Sequence, residues 1–262
     1  MKNLIKADLY RIFKSKLTLI SFIIAAAIPL FTTLLYLGMG FVLKSTVGDE
    51  IESVKDLLNS ESLLAGTFSY TNNLGLAVPI FAVVLIMNDV TSGTIRNKIV
   101  YGYKRHQIFA SHYISILCYC LILMGIYAAS IALFGTTILG HGAVDNAKAL
   151  SYLYFYILGF VGVAVVAAIA CFFSLSLLNV AGSAVLSLVV CIFFGILTTI
   201  FSISDKDFFV HLTRFIPSAV IGHQLYENIT LIMFIEGLAG DLIFTAGFYL
   251  AGTFIFNARD LK

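Results

Sequence analysis

The chain has 262 residues, 60% of them hydrophobic and only 11% charged, with a formal net charge of +2. Soluble domains carry roughly 25% charged residues, so the composition excludes an ordinary soluble domain and places the chain among polytopic membrane proteins. The basic residues track one face of the membrane, which leaves nucleic-acid binding unsupported.

Residues 3–16 read as an amphipathic helix. At about 100° per residue, Leu4, Ile5, Leu9, Ile12 and Phe13 fall on one side, and Lys6, Tyr10, Arg11 and Lys14 on the other. Such a helix lies in the membrane interface, with Lys6, Arg11 and Lys14 toward headgroups or a cytoplasmic partner. The first apolar run, 17–43, follows. Lysines before an apolar run suggest a signal peptide, but this run is too long for a signal core and reads as an uncleaved span.

Residues 44–69 are acidic, with Asp49, Glu50, Glu52, Asp56 and Glu61 against Lys44 and Lys55. The spacing of Ile51, Val54, Leu57 and Leu58 predicts a short helix there, in a solvated loop or at an outer mouth. A second run covers 70–87. The segment 88–107, NDVTSGTIRNKIVYGYKRHQ, then interrupts the apolar sequence with four cations and one acid. It combines a Gly-Thr pair, a helix-like basic stretch and an aromatic-glycine turn.

Further apolar runs cover 108–139, 152–173, 180–201 and 233–256. Each of the six is long enough for a transmembrane helix, which needs about 20 apolar residues. The expected fold is therefore an all-α membrane protein of six spans, preceded by the interfacial helix, in a single domain over 1–262. Residues 202–230 should form short helices at or dipping into the outer leaflet, because bare backbone at that depth needs protein or water partners.

Orientation follows from Lys and Arg. With the N-terminus inside, eleven of the sixteen lie on the inner side and five on the outer, which puts both termini and the 88–107 segment in the cytoplasm. The four cysteines lie inside apolar runs and read as small buried hydrophobes.

Titratable residues within the runs are few. His112 reads as lying at the inner water interface, and Glu236 and Asp241 as outer interfacial anchors. Asp241, Thr245, Tyr249 and Gly252 share one face of the last span and could line a pathway or a subunit contact. Small residues in the fourth span, among them Gly159, Gly162 and Ala167, permit close helix packing.

No phosphate loop, HExxH or GxSxG is present, and no metal-ligand spacing stands out. The chain is expected to carry no catalytic residues, metal or bound cofactor, and to be no enzyme by itself.

The pattern Asp89-Val-Thr-Ser-Gly93-Thr94, then Ile95-Arg96-Asn97-Lys98, then Gly102-Tyr103-Lys104-Arg105 is similar to the loop after the second span in type-2 ABC exporter permeases. There, an acid is followed by three residues, Gly-Thr, a short helix and a turn ending in a basic residue. The layout of the whole chain agrees with that family. The resemblance implies a half-transporter in a bacterial plasma membrane, pairing with a second permease subunit, identical or paralogous.

A separate ATPase subunit would bind ATP and Mg and dock on Asp89, Gly93, Thr94, Arg96, Lys98, Tyr101, Lys104 and Arg105. The implied cargo is amphipathic or hydrophobic, an antimicrobial peptide, drug or lipid. Its path would be lined by Asn72, Asn73, Thr198, Thr199 and Asp241. The alternatives are a passive or ion-coupled channel or carrier, and a non-transporting membrane scaffold.

Overall fold

Hydropathy sets the architecture seen in the computed structural model, which describes residues 1–47, 63–64, 66–70, 74–139, 146–202, 207–217 and 229–258. Among these residues the regular structure is entirely helical. Helix α1 spans Lys2–Lys14, α2 Lys16–Val47, α3 Leu74–Thr91, α4 Thr94–Val100, α5 Arg105–Leu139, α6 Asn146–Leu177, α7 Val180–Ser202, α8 Asp207–Arg214 and α9 Leu231–Ala258. Six of them, α2, α3, α5, α6, α7 and α9, are long and apolar enough to cross a membrane.

The six match the expected spans, with shifted ends. α2 has 32 residues and α5 has 35, well beyond the roughly 20 that a bilayer requires. α3 begins at Leu74 rather than at residue 70, and α6 already begins at Asn146. The small residues of α6 put it at the centre of the bundle, packed on α3, α5, α7 and α9. At Gly159, Gly162 and the alanines from Ala164 to Ala170, neighbouring elements come close enough for dispersion contacts to hold helices together in lipid. α2, α7 and α9 leave most of their apolar surface outside the bundle.

A short chain path joins α3 to α5 at one end of the bundle. Gly93 and Gly102 bracket α4 with φ of 70° and 84°, the left-handed region that only glycine enters without strain. At the second glycine the Tyr103 N–H donates to the Lys98 carbonyl (3.2 Å) and the Gly102 N–H to the Ile99 carbonyl (2.9 Å). This is the Schellman pattern that satisfies the last carbonyls of a helix. α5 restarts at once: the Gln107 side-chain oxygen accepts from the Lys104 N–H (3.3 Å), half of a capping box.

α1 joins the same end. Ser15 is extended (ψ 137°) and turns the chain between α1 and α2, and the Thr18 hydroxyl donates to the Ile12 carbonyl (2.5 Å) across that bend. Phe22 of α2 stacks on Tyr119 of α5 (5.9 Å), whose hydroxyl donates to Ser21 (2.7 Å).

At the opposite end, two non-spanning segments enter the bundle. Phe68 lies among Phe155, Tyr156 and Phe160 of α6, its ring 2.4 Å from where a Cβ on Gly159 would sit. The Tyr70 hydroxyl donates to the Gly162 carbonyl (2.7 Å). α8 is tied to α9 by Glu236, which pairs with His211 (2.9 Å) and Arg214 (3.2 Å). Just beyond, the Phe215 carbonyl oxygen presses on Gly240, about 14 Å along α9 from Leu231 at 1.5 Å per residue. Of the short helices expected in 202–230, α8 is one; residues 203–206 and 218–228 lie outside the described residues. The helix expected near Ile51 lies outside the described residues.

Candidate functional site

The side chains that chemistry would single out converge where α1, α4 and the starts and ends of two spans meet. Asp8 of α1 is 1% exposed and receives four hydrogen bonds. Lys98 Nζ of α4 donates to both its oxygens (2.7 and 2.9 Å), Arg11 Nη2 to Oδ1 (2.9 Å) and Ser111 Oγ of α5 to Oδ2 (2.6 Å). Arg11 also pairs with Asp89 near the end of α3. His112 of α5 stands between the two halves, 3.2 Å from Lys98 Nζ and 3.5 Å from the Asp89 carboxylate. Two carboxylates thus face two cations, and one network links four helices.

Burial pushes the Asp8 carboxyl up, but the His112 ring and Lys98 ammonium, with the Lys98 and Ser111 hydrogen bonds, outweigh it. The net result holds Asp8 below its ordinary value. Burial also lowers the Lys98 ammonium, and its bonds to Asp8 only partly restore it. A carboxyl with a depressed folded-state value stabilises the fold above its unfolded value of about 3.9 and loses that contribution as pH falls through the folded value. The melting-midpoint difference between the native chain and Asp8→Asn should therefore be present at neutral pH and shrink as the pH falls below about 4. A gap that stays the same or widens as the pH is lowered from about 4 to about 2 would count against this pairing.

Above the network, a cleft of about 370 Å³ opens between α1 and α4. Asn3, Ala7, Thr94, Asn97 and Tyr101 line it, and Asp8, Arg11 and Lys98 are reached through it. Val100 and Tyr101, at the tip of α4, are 84% and 82% exposed.

The expected docking residues therefore divide. Gly93 and Thr94 start α4, with the Thr94 hydroxyl 2.8 Å from that of Ser92. Arg96, Tyr101 and Lys104 are exposed. Asp89 and Lys98 are buried and point into the bundle, contrary to an outward role for their charges. Arg105 Nη1 donates to the Asn257 carbonyl near the end of α9 (3.1 Å), where the helix dipole favours a cation.

On α1, Lys6 and Lys14 are exposed as expected, but Arg11 turns to Asp8 and Asp89. His112 is fully buried, not at a water interface. Asp8 was not anticipated at all. The signal was an acid placed between two apolar residues, at the spacing Leu4, Asp8, Ile12 that forms one buried ridge.

Of the expected path residues, Thr198, Thr199 and Asp241 are among those described. Asn72 and Asn73 lie outside the described residues. The Thr198 and Thr199 hydroxyls both donate to the Gly195 carbonyl one turn back in α7 (2.7 and 3.1 Å). Asp241 is 3% exposed inside α9, a buried position rather than an interfacial anchor. The four cysteines are free thiols, three of them buried. No group of three or more metal-ligating side chains occurs among the described residues. No protein-family model and no curated protein sequence matches the chain.

Proposed function

We propose that this chain is the permease subunit of an ATP-driven exporter of the type-2 ABC kind, working with a separate ATPase and a second permease subunit in a bacterial plasma membrane. The observation that carries the reading is α4. It is a short helix between two spans, held from inside by the Lys98 to Asp8 pair and ending in the exposed Val100 and Tyr101. A large apolar pair so exposed beside cations suits a protein contact.

Force applied at that tip reaches α1, α3 and α5 through one buried network. In this reading the α4 end and both termini are cytoplasmic, and α1 lies in the membrane interface. The ATPase binds ATP and Mg, and alternation of the permease pair exports an amphipathic or hydrophobic peptide, drug or lipid. The broad uncovered faces of α2, α7 and α9 suit lipid or the second subunit.

The test is capture of an ATPase encoded beside this chain. The native chain should retain it through purification, and Val100→Asp/Tyr101→Asp should lose it at least tenfold while inserting and melting normally. Equal capture by both would sink the proposal. One observation favours an ion-coupled carrier instead, the burial of Asp241 within a span. That reading requires transport by the chain alone, with no ATPase present.

A further inference from the structure

α1 carries two adjacent ridges. Leu4, Asp8 and Ile12 face the bundle and are buried. Ile5, Leu9 and Phe13, each one position further on, are left partly or fully exposed. Between this second ridge and the flanking Lys2, Lys6 and Tyr10 lies a shallow groove of about 550 Å³. Its floor is apolar and its rim is basic. The only acid of α1 is Asp8, which is spent on Lys98, Arg11 and Ser111 away from the groove. Lys14 extends the basic side: its ammonium donates to the Tyr10 hydroxyl (2.9 Å) and stands 5.3 Å from the ring centre. The Ser15 bend holds the groove beside the first turn of α2, at the end of a span.

We infer that this groove is a binding site for one anionic phospholipid, its phosphate between Lys2 and Lys6 and an acyl chain along Ile5, Leu9 and Phe13. The charge decides the class of occupant. A zwitterionic lipid fits the apolar floor equally well but brings no net charge to two lysines whose rim holds no acid. Each lysine near an anionic headgroup favours it about fivefold, so two give a preference of about 25-fold. The site deepens the reading of α1 as an interfacial helix and rests on it. The helix that holds the lipid is also the helix whose other ridge holds α4.

The test uses the purified full chain in nanodiscs of equal phosphatidylglycerol and phosphatidylcholine, released for native mass spectrometry. One phosphatidylglycerol should stay bound with at least tenfold preference, and Lys2→Gln/Lys6→Gln should abolish that preference without changing the melting midpoint. Lys104→Gln, at the same end of the bundle but outside the groove, should keep it. A photoreactive phosphatidylglycerol should label the peptide containing residues 2–13, a result that needs no variant. Equal retention of the two lipids, equal loss in Lys104→Gln, or labelling only elsewhere would overturn the site. No ATPase enters this experiment. Lipid retention with failed ATPase capture would therefore refute the exporter alone, and the converse would refute the lipid site alone.

Discussion

Asp8→Ala is expected to cost about 3–5 kcal/mol, the penalty for leaving a buried charge without its partner. Lys98 is 7% exposed and has Asp8 as its carboxylate partner at 2.7 Å. Removing the carboxylate strands that ammonium and the Ser111 hydroxyl, and leaves Arg11 with Asp89 alone. At roughly 2–4 °C per kcal/mol for chains of about this size, the melting midpoint should fall by on the order of 10 °C.

The protein supplies its own probe. Cys120, Cys171 and Cys191 are buried, so a thiol-reactive fluorophore reports unfolding. Asp8→Ala/Lys98→Met should melt closer to the native chain than Asp8→Ala does, because an apolar pair replaces an ionic one with little loss. A single variant within about 0.5 kcal/mol of native, near the level of an ordinary surface change, would refute the network's structural weight.

The second large effect lies at the other end of the bundle. A Cβ on Gly240 would stand 2.2 Å from the Phe215 carbonyl oxygen, 2.7 Å from its carbon and 2.9 Å from its Cα. These are backbone atoms, so no rotamer change relieves the overlap. Gly240→Ala should cost about 1–3 kcal/mol as overpacking, or push the segment that follows α8 off α9. Displacement would break the Glu236 pairs to His211 and Arg214 and expose the bond after Arg214, so trypsin should cut there several-fold faster. Gly247, on the same helix, has nothing within 4 Å of the equivalent position. Gly247→Ala should therefore be neutral or slightly stabilising in the same assays. If the two variants melt and cleave alike, the close contact at Gly240 is absent.

The spans were legible because a bilayer imposes one requirement on every segment, a run of about 20 apolar residues, and each of the six meets it alone. Their ends were less legible. α5 and α6 extend past their apolar stretches because a helix can continue through polar residues such as Arg105 and Asn146 once it leaves the hydrocarbon, since only the part within the bilayer must be apolar. The ends of α4 could be read from Gly93 and Gly102, since left-handed backbone selects glycine.

The direction of the charges could not be read. A helical wheel places Arg11 beside Lys14, yet Arg11 faces the bundle because Asp8 and Asp89 wait there. The Lys98 to Asp8 pair joins residues 90 positions apart, a separation that no local pattern encodes. His112 is buried for the same reason, since its partners Lys98 and Asp89 come from two other helices.

The glycines that bracket α4 set a rule for the segment that concerns handedness, not size. At both Gly93 and Gly102 a Cβ would meet nothing within 4 Å, so there is room for alanine or something larger. What an L side chain meets is its own backbone, at about 1–2 kcal/mol per left-handed residue. A D-residue carries no such penalty. The path from α3 through α4 to α5 is thus fixed by two chiral checkpoints, while the outward positions between them are free to differ in length and charge without redirecting the chain.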